Sequence, residues 1–504
     1  MSLRIPVPYA GISDVDRAFD AVVVGGGVLG CFAARNLTRC DLRVALLERR
    51  EDVCTGISRA NTAVIYTGYD TKPGTLKTEL CVRANDHFET LCGELGVAFS
   101  RCGSLMVGYG PEADGVIREK FAQGAENGVR GLRLLTGAEV RDLEPDLAPG
   151  VSSGLYAPGT GTANPWELGI AAYENAVRNG CRPFLNTGVT GIAPAEGGYR
   201  LETDRGPFFA RAVVNCAGLF ADAVQEFVCA PSVRIFPEKA DYIVLDESTE
   251  SRIRHIIFHE PEDGGKGLTI VPTTEGNLLL GPSELPGGDR ETFSTTEAGL
   301  DFIRRLCGTV VPGLDLGRTI RSFGALRPNP YHVRREDGGW VRSDKSISNF
   351  MLTEPRPNFF SLIGIKTPGL TCADELGRYV ADKLADRFSA APNAAFDPVR
   401  APILRLHGLS PAERTALVKK DPAYGRIVCR CRDVSEGEIL EAIRRGAGTV
   451  DGVKRRTGAG MGRCQGGFCM ERVMALLSRE LGIPAEALTK DGPGSRILGG
   501  GPDG

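Results

Sequence analysis

The sequence predicts an α/β fold in which a βαβ unit with a glycine-rich turn opens the chain and a small helical module closes it. Three observations carry this. A β-branched run at 21–24 enters Gly25-Gly26-Gly27, a helical pattern follows through Leu29, Ala33 and Leu37, and strand character returns at 43–47. Strand-like runs at 212–215, 242–245, 269–271, 278–280 and 359–363 alternate with helical stretches such as 165–178 and 371–384. Four cysteines gather near the C-terminus, apart from the rest.

At 504 residues the chain exceeds what one hydrophobic core supports, so two or three domains are expected. Hydrophobic residues make up 42% and charged residues 24%, an ordinary globular balance. The net charge of -3, with Lys and Arg spread along the chain, offers no basic stripe for nucleic acid. The first 20 residues lack a basic segment followed by an apolar run, and no later segment approaches a spanning length, so a cytoplasmic protein is expected. Of the fifteen cysteines, those outside the C-terminal group, such as Cys31, Cys54, Cys81 and Cys216, sit singly among apolar neighbours and read as small buried hydrophobes.

The predicted organisation is an N-terminal extension over 1–17, a catalytic region over 18–398 and a proline-rich linker over 399–425. A compact module over 426–485 follows, then a Gly- and Pro-rich flexible tail over 486–504. No internal repeat is present.

Gly25-x-Gly27-x-x-Gly30 lies between a strand and a helix, with Glu48 ending the next strand. The glycines permit a tight turn and close backbone approach to a pyrophosphate resting on the helix N-terminus, and Glu48 can accept from ribose hydroxyls. FAD and NAD share that adenosine diphosphate, so the turn leaves both open.

Three further segments accompany it: 56–62 (Gly-Ile-Ser-Arg-Ala-Asn-Thr), the strand 212–218 ending in Ala217-Gly218, and the glycine-rich turn 364–371 opening a helix. Over roughly 18–390 the chain resembles the D-amino-acid-oxidase-like flavoproteins. Its stretches 61–65, 73–77, 272–277 and 363–371 are most similar to the large subunit of anaerobic glycerol-3-phosphate dehydrogenase and to L-2-hydroxyglutarate oxidases. The resemblance implies a Rossmann-like FAD-binding domain with an interleaved α+β substrate domain (about 85–150 and 235–320). It implies FAD contacts at Gly25, Gly27, Gly30, Glu48, Ser58, Asn61, Thr62, Val189, Ala217, Gly218, Gly364, Lys366, Gly369, Leu370 and Thr371. It also implies hydride transfer from a carbon bearing OH or NH to the flavin, so that the protein's task is orientation and removal of one proton. The second glycine turn would lie near the reactive ring.

Arg327 matches a family position that anchors a substrate anion, and a guanidinium suits a carboxylate or phosphate. Lys366 faces the predicted flavin turn. In two places the chain departs from the pattern: Tyr66 and Glu275 stand where relatives carry histidine. Tyr66 can hydrogen-bond substrate and Glu275 can act as a base if its pKa suits, so the proton acceptor and the identity of the substrate stay open. Glycerol 3-phosphate, a 2-hydroxy acid or an amino acid would each meet the expected anion site.

Cys429-x-Cys431 and Cys464-x-x-x-x-Cys469 form the most specific signal in the chain. Four thiolates in two clusters suit a [2Fe–2S] centre or structural zinc. The runs CRCRDVSEGEILEAI and TGAGMGRCQGGFC resemble the bacterioferritin-associated-ferredoxin-like domain, which implies a [2Fe–2S] cluster on these cysteines. Ser435-x-x-Glu438 predicts a capping box opening a helix that stops near Gly446, and Cys469 precedes a helix over MERVMALLSREL. The combined expectation is a dehydrogenase that passes electrons through the cluster to a second flavoprotein or quinone-linked subunit, with peripheral membrane association through that partner. The competing readings are an oxygen-dependent oxidase with a zinc module and a non-catalytic electron-transfer subunit.

Overall fold

The computed structural model describes residues 17–249, 253–260 and 267–499; nearly all of the predicted N-terminal extension and the last residues of the predicted tail lie outside them. A parallel sheet forms the first layer. β1 (Ala18–Val24) lies between β2 (Val44–Leu47) and β4 (Phe208–Asn215), β3 (Arg182–Phe184) extends the sheet beyond β2, and β5 (Phe359–Ile363) pairs with the C-terminal half of β4. The antiparallel strands Val189–Ala195, Gly198–Thr203 and Met351–Arg356 complete it. β1 and β2 are nearly continuous apolar runs because both faces of the sheet are covered.

One covering helix is α1 (Val28–Leu37), packed between α2 (Pro165–Arg178) and α3 (Ala373–Phe388). Its Cys31, Phe32, Ala33 and Ala34 are fully buried, and the small residues let the neighbouring helices approach closely. Arg35 is buried too, at a site lined with acceptors: Glu94 at 2.9 Å, Asp374 at 3.2 Å and Asn175 at 3.1 Å. Such a set compensates a charge that would otherwise be costly to bury. α2 starts where Asn164 Oδ1 accepts from the Glu167 N–H at 3.1 Å and Pro165 takes the first helical position, where its missing N–H costs nothing.

A second, mainly antiparallel sheet stands beside the first. Among the described residues it runs in the order Gly339–Arg342, Thr319–Glu336, Val233–Leu245, Leu278–Gly281, Thr269–Pro272, Ile256–His259, Ser104–Gly108, Ser153–Ala157 and Arg133–Thr136. Its strands come from two stretches of chain, with α2, β3 and β4 of the first layer intervening. The helix Glu297–Val310 packs Ile303, Cys307 and Val310 into its core.

The C-terminal module has a core of its own, built from α4 (Glu436–Arg444), α5 (Val450–Thr457) and α6 (Met470–Leu481) around Ile439, Val453, Val473 and Leu477. Ser435 and Glu438 form the reciprocal capping box at the start of α4.

The structure differs from the sequence reading on either side of this module. Over 399–425, where proline content predicts a linker, Ser410 caps the helix Pro411–Lys420, Ile403 and Leu406 are buried, and Arg400 pairs with buried Glu174 at 2.7 Å. Pro411 occupies the first helical position, so here proline opens a helix. In the predicted tail, Leu488 joins the module's core and Asp491 forms ion pairs with Arg59 and with Arg455. The segment lacks the apolar residues for a core of its own and docks instead through Leu488, the partly buried Ile497 and the Asp491 carboxylate.

Candidate active site and four-thiol centre

The turn between β1 and α1 is set by two glycines. Gly25 has φ +105°, and a Cβ on it would lie 2.6 Å from the Cys216 carbonyl oxygen; a Cβ on Gly30 would lie 1.8 Å from the Gly25 carbonyl oxygen. Gly30 therefore serves helix-to-strand packing from behind, while Gly25 and Gly27 line the cleft itself. Gly27, the N-cap, offers no side-chain acceptor to the first turn of α1. The Val28 N–H donates to Ser58 Oγ at 2.9 Å. Glu48, at the end of β2, accepts from the Gly26 N–H at 2.6 Å and the Arg50 N–H at 2.8 Å. Burial pushes its carboxyl up even so. An exposed backbone turn, a helix N-terminus and a carboxylate with remaining lone pairs fit an adenosine diphosphate.

One continuous cleft of about 1060 Å³ runs from this turn to the turn preceding α3. Ser58, Asn61 and Thr62 line it from one loop, Val189, Ala217 and Gly218 from others, and Lys366, Gly369 and Leu370 from the far turn. Asn61 shapes its own loop, donating to the Ser58 carbonyl and accepting from the Ala63 N–H. Besides Gly30, two predicted contacts stand behind the wall. Gly364 packs on Pro330, and buried Thr371 accepts the Tyr66 N–H at 3.0 Å, tying the two loops together.

At the far end the cleft is cationic. Arg327 lines it and donates to Glu284 at 3.2 Å. Lys366 Nζ donates to Asn329 Oδ1 at 2.7 Å and Ser346 Oγ at 3.3 Å. Burial, then the charges of Arg327 and Lys77, push the Lys366 ammonium down to about 8. Lys77, also lowered by burial, and Asp70 line the same cleft. Neither Lys77 nor Arg59 is singled out by the sequence reading, although Lys77 ends the 73–77 stretch that carries the family resemblance. Tyr66 stacks on Phe258 with ring centres 5.9 Å apart, and burial, then Asp70, pushes its phenol up to about 12. A phenol pushed up this far keeps its proton at ordinary pH and can offer a hydrogen bond into the cleft.

Glu275 lies elsewhere. It is absent from the cleft lining, and its carboxylate forms ion pairs with Arg432 and, at 3.6 Å, with Arg405. Arg432 directly follows the ligand position Cys431 and also meets Glu247 at 3.1 Å. The hairpin over 272–277 thus carries Glu275 to the C-terminal module, which corrects the expectation of a base beside the flavin.

The four C-terminal thiols converge in two pairs. Cys431 Sγ and Cys464 Sγ are 3.5 Å apart, and Cys429 and Cys469 are hydrogen-bonded. The Cys469 contact, opposed by burial and joined by the N–H groups of Gly460, Arg432 and Cys431, brings Cys429 down to about 6. Burial pushes Cys464 up, but the Gly466 N–H, the Cys431 thiol and the Phe468 N–H outweigh it and hold it below the ordinary thiol range. An all-thiol set ringed by backbone N–H groups fits an iron–sulfur cluster.

The module is fixed to the cleft-forming layers by buried charge. Asp52, in the loop after β2, binds Arg455 and Arg456. Glu174 of α2 binds Arg400 and Arg445. Asp491 reaches the cleft wall through Arg59.

Comparison with known proteins agrees with this geometry. Residues 20–383 match the family described as FAD dependent oxidoreductase, and residues 427–479 match the BFD-like [2Fe-2S] binding domain. The chain is 39% identical over 489 residues to a glycerol 3-phosphate dehydrogenase of Caloramator mitchellensis, covering 96% of this chain and 98% of that one. It is 28% identical over 296 residues to the mitochondrial L-2-hydroxyglutarate dehydrogenase of Homo sapiens, covering 55% and 63%. Among solved structures, the dithionite-reduced L-alpha-glycerophosphate oxidase of Mycoplasma pneumoniae with FAD bound aligns with TM-score 0.70 at 25% identity, over 77% of this chain and all of that one. The chain therefore belongs to the FAD dependent oxidoreductase family, with FAD as its cofactor and a [2Fe–2S] cluster in its C-terminal BFD-like domain.

Proposed function

We propose that the protein is a dehydrogenase that oxidises the secondary alcohol of glycerol 3-phosphate and passes the electrons through its [2Fe–2S] cluster to a partner protein. The observation that carries this is the convergence of Arg327, Lys366 and Lys77 at one end of the cleft, close enough that Arg327 and Lys77 together lower the Lys366 ammonium. These cations face the carboxylates of Asp70, Glu238 and Glu284, and a fork-shaped guanidinium with two ammonium groups suits a phosphate. The relative that aligns over nearly the whole chain is named for the same substrate.

FAD, when bound, supplies the two-electron acceptor. Arg327 and Lys77 hold the phosphate, and Lys366, anchored by Asn329 and Ser346, adds positive charge at the flavin turn. Tyr66 donates a hydrogen bond from a phenol that keeps its proton, and its stack with Phe258 excludes water from that wall. The loop ties from Thr371 to Tyr66 and from Ser58 to Val28 keep these groups in place without substrate, which lowers the cost of reaching the reactive arrangement.

The test is an anaerobic titration of the purified yellow protein. Glycerol 3-phosphate is expected to bleach the flavin absorbance, with L-2-hydroxyglutarate and glycine far weaker. Bleaching by either of those alone would reassign the substrate. Stoichiometric hydrogen peroxide in air, with no electron reaching the cluster, would make the protein an oxidase. Among the described residues no helix is long and apolar enough to cross a membrane.

A further inference from the structure

The loop joining two cluster ligands carries an aromatic ring in open solvent. Phe468 lies between Cys464 and Cys469 and is 86% exposed, where the next most exposed large hydrophobic residue, Val399, reaches 52%. Single exposed apolar residues are common, but an almost fully exposed Phe is costly and here its position is fixed. The Phe468 N–H points back at the Cys464 sulfur, so the backbone is held by the ligand while the side chain turns outward.

The same loop has two faces. Gln465 accepts from Arg321 of the second sheet at 3.2 Å, and Arg432, beside Cys431, binds Glu247 and Glu275. The inner side of the thiol centre is thus occupied by the chain's own second sheet and its loops, and Phe468 marks the outer side. The exposed charged residues that flank the ligands in the chain are mainly basic. Arg430 sits between Cys429 and Cys431, exposed and with no ion-pair partner among the described residues. Arg463, which precedes Cys464, reaches Asp246 at the end of a second-sheet strand at 3.4 Å and so belongs with Gln465 and Arg432 to the inner side. Arg472, one helical turn beyond Cys469, is exposed and reaches the Ile427 carbonyl at 3.5 Å. Glu471 is the exposed acid beside them.

We infer that Phe468 and the flanking Arg430 and Arg472 form the docking surface for the electron acceptor, and that the acceptor is an acidic-faced redox protein with an apolar socket for the ring. An aromatic anchor inside a ring of charge is the usual anatomy of a transient protein interface, with the anchor supplying affinity and the charge supplying the on-rate. A second copy of this chain would bring a like-charged rim to the surface, and a small soluble acceptor would need no anchor. The inference rests on the relay reading given above.

The test uses the full-length protein loaded with FAD and cluster, and two haem proteins of opposite charge as probes: the soluble domain of cytochrome b5, which is acidic, and cytochrome c, which is basic. The parent is expected to bind and reduce cytochrome b5 in preference to cytochrome c at low salt, with both binding and rate falling as salt rises. Phe468→Ala is expected to weaken calorimetric binding of oxidised cytochrome b5 and slow its reduction by about tenfold or more, the size of effect seen at interface anchors. Anaerobic flavin bleaching, iron and sulfide content, and reduction of a small neutral quinone should match the parent. Phe468→Trp should stay within about threefold, because an anchor pocket accepts another aromatic ring. Because the ring is exposed, the substitution leaves the fold intact.

Parent-like binding and reduction of cytochrome b5 by Phe468→Ala would overturn the proposal, as would a preference for cytochrome c. Loss of cluster content in that variant would make Phe468 structural. A dimer converted to monomer, or vesicle binding abolished by the substitution, would assign the surface to a second copy or to a membrane and equally overturn it. Failure of the relay itself reads differently: quinone reduction would proceed while the cluster stayed oxidised in the parent.

Discussion

Arg456 grips Asp52 with both terminal guanidinium nitrogens, at 2.7 and 2.8 Å, and the two side chains are 1% and 2% exposed. Arg455 adds a third bond to the same carboxylate at 3.0 Å and turns its other nitrogen to Asp491. The loop that follows the Glu48 strand is thereby bolted to the cluster-binding module. Asp52→Asn removes one partner of a buried, fully desolvated set and is expected to cost about 3–5 kcal/mol. Thermal unfolding should show the module separating early, with increased proteolysis over 399–425.

The same pair sets a pH dependence. Burial alone would raise the Asp52 carboxyl, but Arg456 and Arg455 outweigh it and hold it below its ordinary 3.8. A group depressed on folding contributes its full stability above the unfolded value, and that contribution is lost as pH falls through the folded one. The parent's melting temperature should therefore drop more steeply than that of Asp52→Asn between about pH 5 and 3. Parallel curves would remove Asp52 from the acid response.

Glu48→Ala should weaken FAD retention by about tenfold, the loss of charge-assisted hydrogen bonds to the ribose together with the acceptor of the Gly26 N–H. Equilibrium binding of FAD to the stripped protein measures it. An unchanged affinity would place the ribose elsewhere.

Lys366 titrates near 8 in the free protein, and only its protonated form attracts an anion. kcat/KM for glycerol 3-phosphate is expected to fall as pH rises through about 8, and the inflection should vanish in Lys366→Met. Persistence of the inflection in that variant would assign it to another group.

Arg327→Lys should raise KM by about tenfold with a smaller change in kcat, because one ammonium cannot supply a fork-shaped contact to phosphate while still meeting Glu284. Kinetics matching the parent would take Arg327 out of the substrate site.

How much of this was legible in the sequence depends on how local the physics is. The glycine turn and Glu48 lie within thirty residues of one another, and their roles follow from sterics and strand length. The α2 boundaries and the Ser435 capping box are equally local. Glu275 was not readable in this way: its partner Arg432 is 157 positions away and belongs to a module whose docking no spacing rule describes. Asp491 lies in a stretch whose composition predicts a free tail, and two arginines on other elements hold it. Lys77 joined the site through tertiary convergence with Arg327 and Lys366.

The central claim is that electrons taken from glycerol 3-phosphate leave through the cluster, and it is tested most directly by following both centres in one anaerobic sample. Adding glycerol 3-phosphate to the parent should bleach the flavin absorbance and produce the paramagnetic signal of a reduced [2Fe–2S] cluster. Cys464→Ser should bleach its flavin in a single turnover, show no such signal and reduce a protein acceptor far more slowly. A Cys464→Ser protein without the cluster that passes electrons to that acceptor at the parent's rate would contradict the account and leave the cluster a structural element.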